Sequence, residues 1–326
     1  MPLPSTVRPS LARDLTPGAF AAHPTALTIG NFDGVHRGHQ AMLQVVCEAA
    51  KLRSLIPTAV TFAPAPGAYF ARLAGKTPPT KLQRLRDKLA CIWAVGIAHI
   101  QLLRFNAAMA AMLPDEFCDR VLKLGLNAKW VIVGDDFRYG KGRAGDVTTL
   151  HAWCAANGIE CYVMPAVTAK DVRFSSTIVR DALRDGDVVT AAAILGRPYR
   201  ISGKVAHGDK LGRTIGFPTI NLPLWSPLPL SGIFAVRVYG IAIAEGAGGL
   251  PVMGAASVGV RPTVKTNGAP LLEVYLLDFQ GDLYRRRIVV EFVERIREEE
   301  KFDSLEIMTE QMHRDIAAVR LALTHV

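Results

Sequence analysis

The sequence predicts an α/β domain built on a doubly wound parallel sheet, followed by an antiparallel β-barrel that ends in a helix. Between residues 26 and 185, strand-like apolar runs alternate with segments whose apolar residues have helical spacing. Such alternation is typical of a parallel sheet covered on both faces. After residue 196, short strand-like runs follow one another without intervening helices, which favours a barrel. We therefore expect one domain at residues 1–185 and a second at 186–326.

Composition restricts the class of protein. The chain has 326 residues, of which 50% are hydrophobic, so two domains with buried cores are possible. It has no apolar run of about 18 residues and no apolar signal segment at its N-terminus, which argues against a membrane span and against secretion. Five scattered cysteines without a CxxC pair indicate free thiols. We expect a cytoplasmic protein that is a monomer or a weak homo-oligomer.

The net charge of +9 comes from 38 basic and 29 acidic residues. Such a balance occurs in nucleic-acid-binding proteins. Here, however, the charged residues are dispersed along the sequence, and the one short cluster of basic residues is Arg285–Arg287. A protein that binds anionic nucleotides needs local positive charge in any case, so we expect small-molecule partners and no nucleic acid.

The elements of the first domain follow from the two periodicities, two residues for strands and 3.6 for helices. In sheets of this kind, ligands bind at the carboxyl ends of the strands, so the turns after the strands are the places to search for a site. The predicted strands are Ala26–Ile29, Ala59–Phe62, Ala98–Leu103, Trp130–Val133 and Glu160–Met164, and the predicted helices cover 38–54, 80–94, 114–124 and 146–156.

A short helix at Val188–Leu195, stopped by Gly196 and Pro198, is predicted between the domains. The C-terminal segment is amphipathic, with Asp303 or Ser304 as its cap. Its predicted packing face contains Leu305, Met308, Met312, Ile316, Val319 and Leu323. The predicted barrel strands are Tyr199–Val205, Gly216–Leu222, Phe234–Tyr239, Val252–Val260, Leu271–Phe279 and Arg287–Ile296.

The stretch Gly30–His39, GNFDGVHRGH, follows the first strand and leads into a helix. Its glycines Gly30, Gly34 and Gly38 permit close approach and unusual backbone dihedrals. The turn directs backbone N–H groups and the positive end of a helix dipole at whatever lies above it. These features predict a phosphate site, such as that of a nucleotide.

Two histidines in this stretch, His36 and His39, lie one helical turn apart and add side-chain donors to the predicted phosphate site. A metal site formed with Asp33, or two ordinary helix-surface histidines, are the alternatives. The HRGH sequence resembles the HxGH signature of the nucleotidyltransferase superfamily, in which both histidines contact ATP phosphates. The ten residues together resemble the bacterial bifunctional riboflavin kinase/FMN adenylyltransferase, or FAD synthetase, family. That resemblance implies catalytic roles for both histidines and ATP contacts by Gly30, Asn31, Phe32, Asp33, Gly34, His36, Gly38 and His39.

A second motif, SSTIVR, begins a helix-like stretch at Ser175. Hydroxyls at a helix N-terminus and an arginine one turn later suit polyphosphate, and a simple helix cap with a solvent-facing arginine is the alternative. The motif resembles the SSTxxR motif of the same family, although many relatives have arginine where this chain has Ile178. The resemblance implies ATP contacts by Ser175, Ser176, Thr177 and Arg180.

A third motif, GDDFRYG, follows the fourth predicted strand and resembles another block of the family. The resemblance implies that Asp136 lies by the flavin substrate and that Arg138 adds charge; a plain strand-to-turn connection is the alternative. One loop departs from the family pattern. Relatives often read TFEPHPREYF where this chain has TFAPAPGAYF, so alanine or glycine replaces four polar side chains between Ala63 and Ala68.

In the second domain, a glycine-rich segment around Lys204 and Arg213 again suits phosphate. Thr219 and Asn221 are two residues apart in a predicted strand, so their side chains face the same way, and oxygen ligands on one face suit Mg²⁺. The run GRTIGFPTIN closely resembles the riboflavin kinase signature, whose threonine and asparagine hold the metal. The ATP-site residues implied are Gly203, Lys204, Val205, His207, Gly212, Thr219 and Asn221.

Glu273 shares one face of a predicted strand with Tyr275 and Leu277. The residue pattern alone leaves it as a solvent-facing carboxylate, whereas the resemblance implies a general base for the riboflavin 5′-hydroxyl. Asp282–Tyr284 matches the DLYG of the family, but Arg285 replaces its glycine. The resemblance implies flavin contacts in the kinase half by Arg261, Glu273 and Arg297.

Together these motifs imply an FMN adenylyltransferase domain and a riboflavin kinase domain that make FMN and then FAD from ATP with Mg²⁺. Two alternatives remain open. The altered Ala63–Ala68 loop is compatible with a riboflavin kinase whose first domain is a degraded or regulatory nucleotide-binding domain. The HxGH-type fold also occurs in RNA-binding and tRNA-charging proteins, although SSTIVR stands where a KMSKS-like stretch would be.

Overall fold

A computed structural model describes residues 9–169, 172–207, 216–224, 226–241, 250–260 and 270–324. The chain divides into two compact units. The first contains the residues up to Pro79 together with Leu85–Phe174, and the second contains Thr80–Arg84 together with the residues from Ser175 onward. Within the described part of the chain, no helix has the length and apolar character needed to cross a membrane.

The first unit is built on a six-stranded parallel sheet, which confirms the predicted α/β class. The strand order is β1-β4-β3-β2-β5-β6, so the chain moves outward from β2 through β3 and β4 and then resumes on the other side of β2. The switch point therefore lies between β2 and β5, where the carboxyl ends of parallel strands form a crevice suited to ligands. The strands are β1 (Ser10–Ala12), β2 (Thr25–Ile29), β3 (Ile56–Phe62), β4 (His99–Leu103), β5 (Ala128–Gly134) and β6 (Glu160–Met164).

Helices cover both faces of this sheet and divide its core into two apolar clusters. One cluster contains the buried side of α1, including Leu43 and Val46, and the other contains Val121 and Leu150. The α-helices are α1 (Arg37–Arg53), α2 (Pro66–Leu73), α3 (Leu85–Ala94), α4 (Ala107–Ala111), α5 (Pro114–Phe117) and α6 (Val147–Ala156), with a π-helix at Cys118–Gly125 and a 3₁₀ turn at Lys141–Arg143.

The second unit is the predicted antiparallel barrel. Its six strands run in the order β10-β13-β12-β11-β14-β9, and a bridge between Ala206 and Asn221 joins the two ends of the sheet, with Ala206 N donating to Asn221 O at 2.9 Å. The strands are β9 (Arg200–Lys204), β10 (Thr219–Pro223), β11 (Gly232–Tyr239), β12 (Val252–Val260), β13 (Pro270–Leu276) and β14 (Arg287–Arg297). A small hairpin of the first unit supplies β7 (Thr168–Ala169) and β8 (Val172–Arg173).

In its described residues, the second unit has the helices α7 (Ser176–Arg184), α8 (Val188–Leu195) and α9 (Leu305–Thr324). Val319 and Leu323 of α9 are buried against Ala235 and Leu277 of the barrel. The predicted packing of the terminal helix on the barrel is thus confirmed for the C-terminal half of α9. Leu305, which its spacing placed on the packing face, is instead 53% exposed.

Candidate functional site

The Gly30–His39 turn lies at the carboxyl end of β2, beside the switch point, and its backbone is strained. Gly34 has a φ of +81°, as its residue type permits. Phe32 and Val35 also have positive φ, at +48° and +43°, a region that costs an L-residue about 1–2 kcal/mol. Both side chains are buried in the core, so packing holds the turn in this conformation. Such strain is concentrated at functional sites.

Gly30 and Gly38 are required for space rather than for dihedral freedom. A Cβ atom on Gly30 would lie 3.0 Å from the ring of Phe32, and one on Gly38 would lie 3.2 Å from the ring of His36. Both contacts are tighter than ordinary van der Waals packing. Gly34 has the predicted unusual dihedral, whereas Gly30 and Gly38 are not among the glycines with positive φ. Their predicted role in the close approach of a bound group stays a prediction.

The two histidines stack on one another, with ring centroids 3.7 Å apart and an interplanar angle of 24°. His36 is buried and caps α1, accepting from the backbone N–H of His39 at Nδ1 over 3.4 Å. Nδ1 of His39 is buried, and none of the described residues makes a hydrogen bond to it. Burial above all, and then the charges of His36 and Lys88, hold the pKa of His39 well below its usual value. His39 is therefore neutral near pH 7.

The alternative interpretations of these histidines fit the structure less well. In the portion of the chain that the structure covers, no group of three or more His, Cys, Asp or Glu side chains, His36, His39 and Asp33 included, is placed to hold a metal ion. A pair of ordinary surface histidines is also excluded, since His36 is 6% exposed. The interpretation that fits is a pair of stacked, partly desolvated imidazoles after a strained turn. This arrangement suits the binding of a polyanion.

Asn31 connects the turn to a neighbouring strand and helix. Its backbone carbonyl accepts from Lys88 Nζ of α3 at 2.9 Å and from Thr61 Oγ1 of β3 at 3.3 Å. Thr61 Oγ1 in turn accepts from Lys88 Nζ at 3.0 Å. Neither Lys88 nor Thr61 was predicted as a site residue.

The GDDFRYG motif lies at the carboxyl end of β5, next to β2 in the sheet. Asp136 is exposed and pairs with Arg173 of β8 at 2.9 Å, and Arg173 also reaches Asp135 at 3.4 Å. Arg138 pairs with Asp146, the N-cap of α6, at 2.9 Å. The structure therefore brings Asp136 to the same edge of the sheet as the Gly30–His39 turn, while the guanidinium of Arg138 is engaged in capping a helix.

The altered loop forms a helix that sequence reasoning missed. Helix α2 begins at Pro66, and Ala65 provides no side-chain cap. Tyr69 and Phe70 of this helix pack edge-on against Phe105, with ring centroids 5.4 and 5.7 Å away. Phe62 joins the same aromatic group at 5.8 Å. A cluster of aromatic side chains thus lies at the carboxyl ends of β3 and β4.

The SSTIVR motif belongs to the second unit and begins α7. Ser175 is the N-cap and accepts from Ile178 N at 3.2 Å, so its side chain caps the helix as the alternative interpretation required. Ser176 and Thr177 occupy the first turn. Arg180 is partly buried and donates from Nε to the Thr80 carbonyl at 2.7 Å, so it is not simply solvent-facing.

A cavity of about 490 Å³ opens in the second unit, between the barrel and α9. Thr219, Glu273 and Arg297 all line it, so three residues from three predicted motifs meet in one place. Phe302 and Met312 contribute apolar walls. A concave, largely apolar site with a few convergent polar groups is the usual form of a small-molecule site.

Strand register explains why these residues meet. In the pairing of β10 with β13, Thr219 lies opposite Tyr275 and Asn221 lies opposite Glu273. On its other side, Glu273 lies opposite Ser257 of β12. Thr219 and Asn221 therefore share a face with Glu273, and their side-chain oxygens form a donor set that fits a hard cation such as Mg²⁺.

The described part of the glycine-rich segment begins at the end of β9. Gly203 approaches β10 closely, since a Cβ atom there would lie 2.7 Å from Leu222 Cδ2. Lys204 is exposed, Val205 is buried, and the ring of His207 lies 3.8 Å from that of Tyr284. Gly212, Arg213 and Arg261 lie outside the described residues.

Arg297 lines the cavity and also ties β14 to α9. Its guanidinium donates twice to Asp315, each bond at 2.8 Å, and once to the Glu298 carbonyl at 2.9 Å. Asp315 is buried and accepts a further bond from Gln311 at 2.9 Å. Next to this pair, burial raises the pKa of Glu299, another lining residue.

Comparison with known proteins gives a match for each of the two parts of the chain. Residues 20–178 match the family model of FAD synthetase, and residues 195–323 match that of riboflavin kinase. The bifunctional riboflavin kinase/FMN adenylyltransferase of Escherichia coli strain K12 is 42% identical over 295 residues, which covers 90% of this chain and 91% of that protein. The chain belongs to the bifunctional riboflavin kinase/FMN adenylyltransferase family. The family predicted from the motifs is thereby confirmed.

A second member of the family and a solved structure are also similar to this chain. The enzyme of the same name from Bacillus subtilis strain 168 is 35% identical and covers 89% of this chain and 90% of its own length. A crystal structure of a protein described as a macrolide-efflux protein from Streptococcus pneumoniae aligns with a TM-score of 0.75 at 29% identity. It covers 91% of this chain and 94% of its own, so the two chains share a fold.

Several residues that lie next to the predicted site residues carried no detectable signal in the sequence. Lys88 lies in a segment predicted as an ordinary covering helix, and Arg173 lies in a hairpin too short to show a period. Met312 and Asp315 lie on α9, where spacing assigned the methionine to core packing and left the aspartate on a polar face. Their contribution to a site depends on tertiary placement alone.

Proposed function

We propose that this chain phosphorylates riboflavin to FMN and then adenylylates FMN to FAD, using ATP in both steps. The observation that carries this proposal is that one chain matches the family models of both enzymes. It is also 42% identical, over 90% of its length, to the bifunctional enzyme of Escherichia coli. The separate phosphate-binding motifs in two compact units support it.

In the adenylyl transfer, an FMN phosphate oxygen attacks the α-phosphorus of ATP and pyrophosphate leaves. The nucleophile is already ionised near pH 7, so no strong base is needed, and catalysis depends on positioning and on stabilising the charge of the pyrophosphate. We assign the ATP phosphates to the Gly30–His39 turn, with His36 and His39 as donors, and to Ser176 and Arg180. A neutral His39 supports this role, because it can donate one N–H without the cost of a buried charge.

In the kinase reaction, the nucleophile is a neutral alcohol. The riboflavin 5′-hydroxyl gains from a carboxylate that accepts its proton as it attacks the γ-phosphorus, and ADP leaves. We assign this role to Glu273, in the cavity that Thr219 and Arg297 also line. Thr219 and Asn221 would hold Mg²⁺, which would neutralise phosphate charge there.

The domains, partners and location follow from the same assignment. We propose that residues 1–185 serve FMN adenylylation and residues 186–326 serve riboflavin phosphorylation. The compact units meet at Ser175, so this functional boundary follows the motifs rather than compactness. We further propose a cytoplasmic monomer or weak homo-oligomer that acts on small molecules and not on nucleic acid, as its free cysteines and dispersed charge suggest.

A kinase-only function is the second candidate, and the altered loop favours it. Ala63–Ala68 lacks four polar side chains that relatives carry, and the N-terminal turn of helix α2 therefore has alanine and glycine in place of these polar groups. If these polar groups are required to hold FMN, the first unit binds nucleotide without forming FAD.

Two single-site variants test the assignment by measuring riboflavin phosphorylation and FMN adenylylation separately. We expect His36→Ala to lose FMN adenylylation by roughly 100-fold or more while riboflavin phosphorylation persists. Glu273→Gln is expected to give the opposite pattern, with a loss of about 100-fold or more in kinase activity. Each variant serves as the folding control for the other. If His36→Ala forms FAD at the wild-type rate, or if Glu273→Gln keeps full kinase activity, the corresponding assignment is wrong.

A further inference from the structure

Helix α3 carries a lysine that the reactions described above do not use. Lys88 is 8% exposed, and a buried lysine is rare unless it is paired. Its ammonium donates to the Asn31 carbonyl at 2.9 Å and to Thr61 Oγ1 at 3.0 Å. One acceptor belongs to the Gly30–His39 turn and the other to the neighbouring strand β3, so the lysine ammonium lies in contact with the turn inside the first unit.

The contact sets the direction of a peptide group in that turn. In a trans peptide, the carbonyl and the N–H that follows it point in opposite directions. Because the Asn31 carbonyl faces Lys88, the N–H of Phe32 points away from Lys88. Phe32 is also the residue with a φ of +48°, and a strained conformation persists only where its surroundings hold it. Lys88 and Thr61 bind the peptide group that immediately precedes it.

Lys88 also acts on the histidines through its charge. The lowered pKa of His39 arises from burial first, then from the charge of His36, and then from that of Lys88. Among the aromatic rings of the described residues, His36, stacked at 3.7 Å, and Phe32, edge-on at 5.2 Å, pack against the His39 ring. The charge of Lys88 therefore adds to burial and to His36 in lowering the pKa of His39.

We infer that Lys88 is a positioning residue for FMN adenylylation, an inference that rests on the proposed function. It holds the Asn31–Phe32 peptide in the orientation that the phosphate site needs, and it supplies a fixed positive charge on the interior side of the turn. It acts through the turn and through His39, and it does not itself contact ATP.

The test compares Lys88→Met with Lys51→Met, which removes an exposed lysine from the same unit. Both are assayed for FMN adenylylation across pH and for riboflavin phosphorylation, whose assigned residues lie in the second unit. We expect Lys88→Met to lower kcat/KM for adenylylation by about 100-fold, the size of effect that a displacement near 1 Å produces. Kinase activity should stay within about twofold of wild type, and Lys51→Met should match wild type in both reactions.

The pH profile separates positioning from simple loss of packing. Removing a nearby cation raises the pKa of His39, so the acid limb of kcat/KM for adenylylation should move to higher pH in Lys88→Met. Thr61→Val gives a second test, because it removes the hydrogen bond from Thr61 Oγ1 to the Asn31 carbonyl but keeps the charge of Lys88. We expect it to lower adenylylation by about tenfold, the loss of one hydrogen bond, without moving the acid limb.

Three results would overturn the inference. These are wild-type adenylylation in Lys88→Met, equal losses of both activities in that variant, or an unchanged acid limb despite lower activity. If Lys88→Met does not fold, wild-type adenylylation in Thr61→Val overturns the positioning role on its own. Failure of the proposed function is distinguishable, because the wild-type chain would then form no FAD from FMN and ATP.

Discussion

Single side chains have different tasks at the two sites because the two nucleophiles differ in charge. The FMN phosphate is ionised, so its site needs donors and fixed positive charge, roles that we assign to His36, His39 and Lys88. The riboflavin hydroxyl is neutral, so the second unit needs a proton acceptor, and Glu273 lies in the cavity where one is required. The chemistry of each nucleophile thus accounts for the residue types found at its site.

Arg285 has a backbone conformation that is unfavourable for its residue type. It has a φ of +64°, in the region where an L-residue is disfavoured by about 1–2 kcal/mol. The resemblance placed a glycine at this position, and the structure supplies the reason: the turn after Tyr284 needs a left-handed residue.

We expect Arg285→Gly to stabilise the protein by about 1 kcal/mol, since glycine adopts this conformation without a steric penalty. Thermal or denaturant unfolding of the two proteins measures the difference. The matched control is Arg286→Gly, at an exposed neighbour that is not among the residues with positive φ. It should lose about 0.5–1 kcal/mol to backbone entropy. Equal destabilisation by both changes would contradict this explanation.

The sequence predicted the motif residues better than it predicted how each one is used. Gly34 needed its φ of +81° and could be anticipated, whereas Phe32 and Val35 could not, because their residue types do not favour positive φ. Lys88 was missed because burial of a lysine depends on acceptors from other elements, here Asn31 and Thr61. Sequence spacing shows none of this.

At the scale of elements, α9 is held to the barrel by two ion pairs of different character. The Arg297–Asp315 pair is mostly buried, with side-chain exposures of 20% and 7%. The Arg320–Asp278 pair is exposed, at 51% and 72%. Breaking a buried pair leaves an uncompensated charge, whereas an exposed pair contributes little. The hydrogen bonds to Asp315 also raise the pKa of Arg297, which therefore stays charged.

We expect Asp315→Asn to destabilise the second unit by about 2–3 kcal/mol, somewhat less than for a fully buried pair because Arg297 keeps some solvent contact. The kinase KM for riboflavin should rise as well, since Arg297 lines the cavity. Asp278→Asn removes the same charge from the exposed pair and should cost less than about 1 kcal/mol. Chemical denaturation measures both, and an equal loss in the two variants would show that the buried pair has no special role.

Strongly periodic elements were predicted well, and short ones were not. Val188–Leu195 and Val252–Val260 have the predicted bounds, because a capped helix and a long apolar strand show clear periods. The three residues of β1 and the two-residue strands of the β7–β8 hairpin are too short to show one. The strand at β13 ends at Leu276 rather than Phe279, and Asp278 turns the chain with a φ of +55°.

At the scale of the whole molecule, two compact units carry the two signatures in one chain. The first unit places its glycine-rich turn and polar side chains at one edge of its sheet, and the second unit gathers Thr219, Glu273 and Arg297 around one cavity. A sequential use of both sites needs FMN, the product of one reaction, as the substrate of the other. Such a chain should consume two ATP molecules for every FAD that it makes.

The most direct measurement is a time course of the purified wild-type chain with riboflavin, ATP and Mg²⁺, in which flavins and phosphate products are separated and counted. We predict that FMN appears first, that FAD follows, and that each FAD is accompanied by one ADP and one pyrophosphate. The control reaction omits Mg²⁺ and includes a chelator, and it should form neither flavin nucleotide. Accumulation of FMN without FAD, or no conversion of riboflavin, would contradict the proposal that one chain performs both reactions.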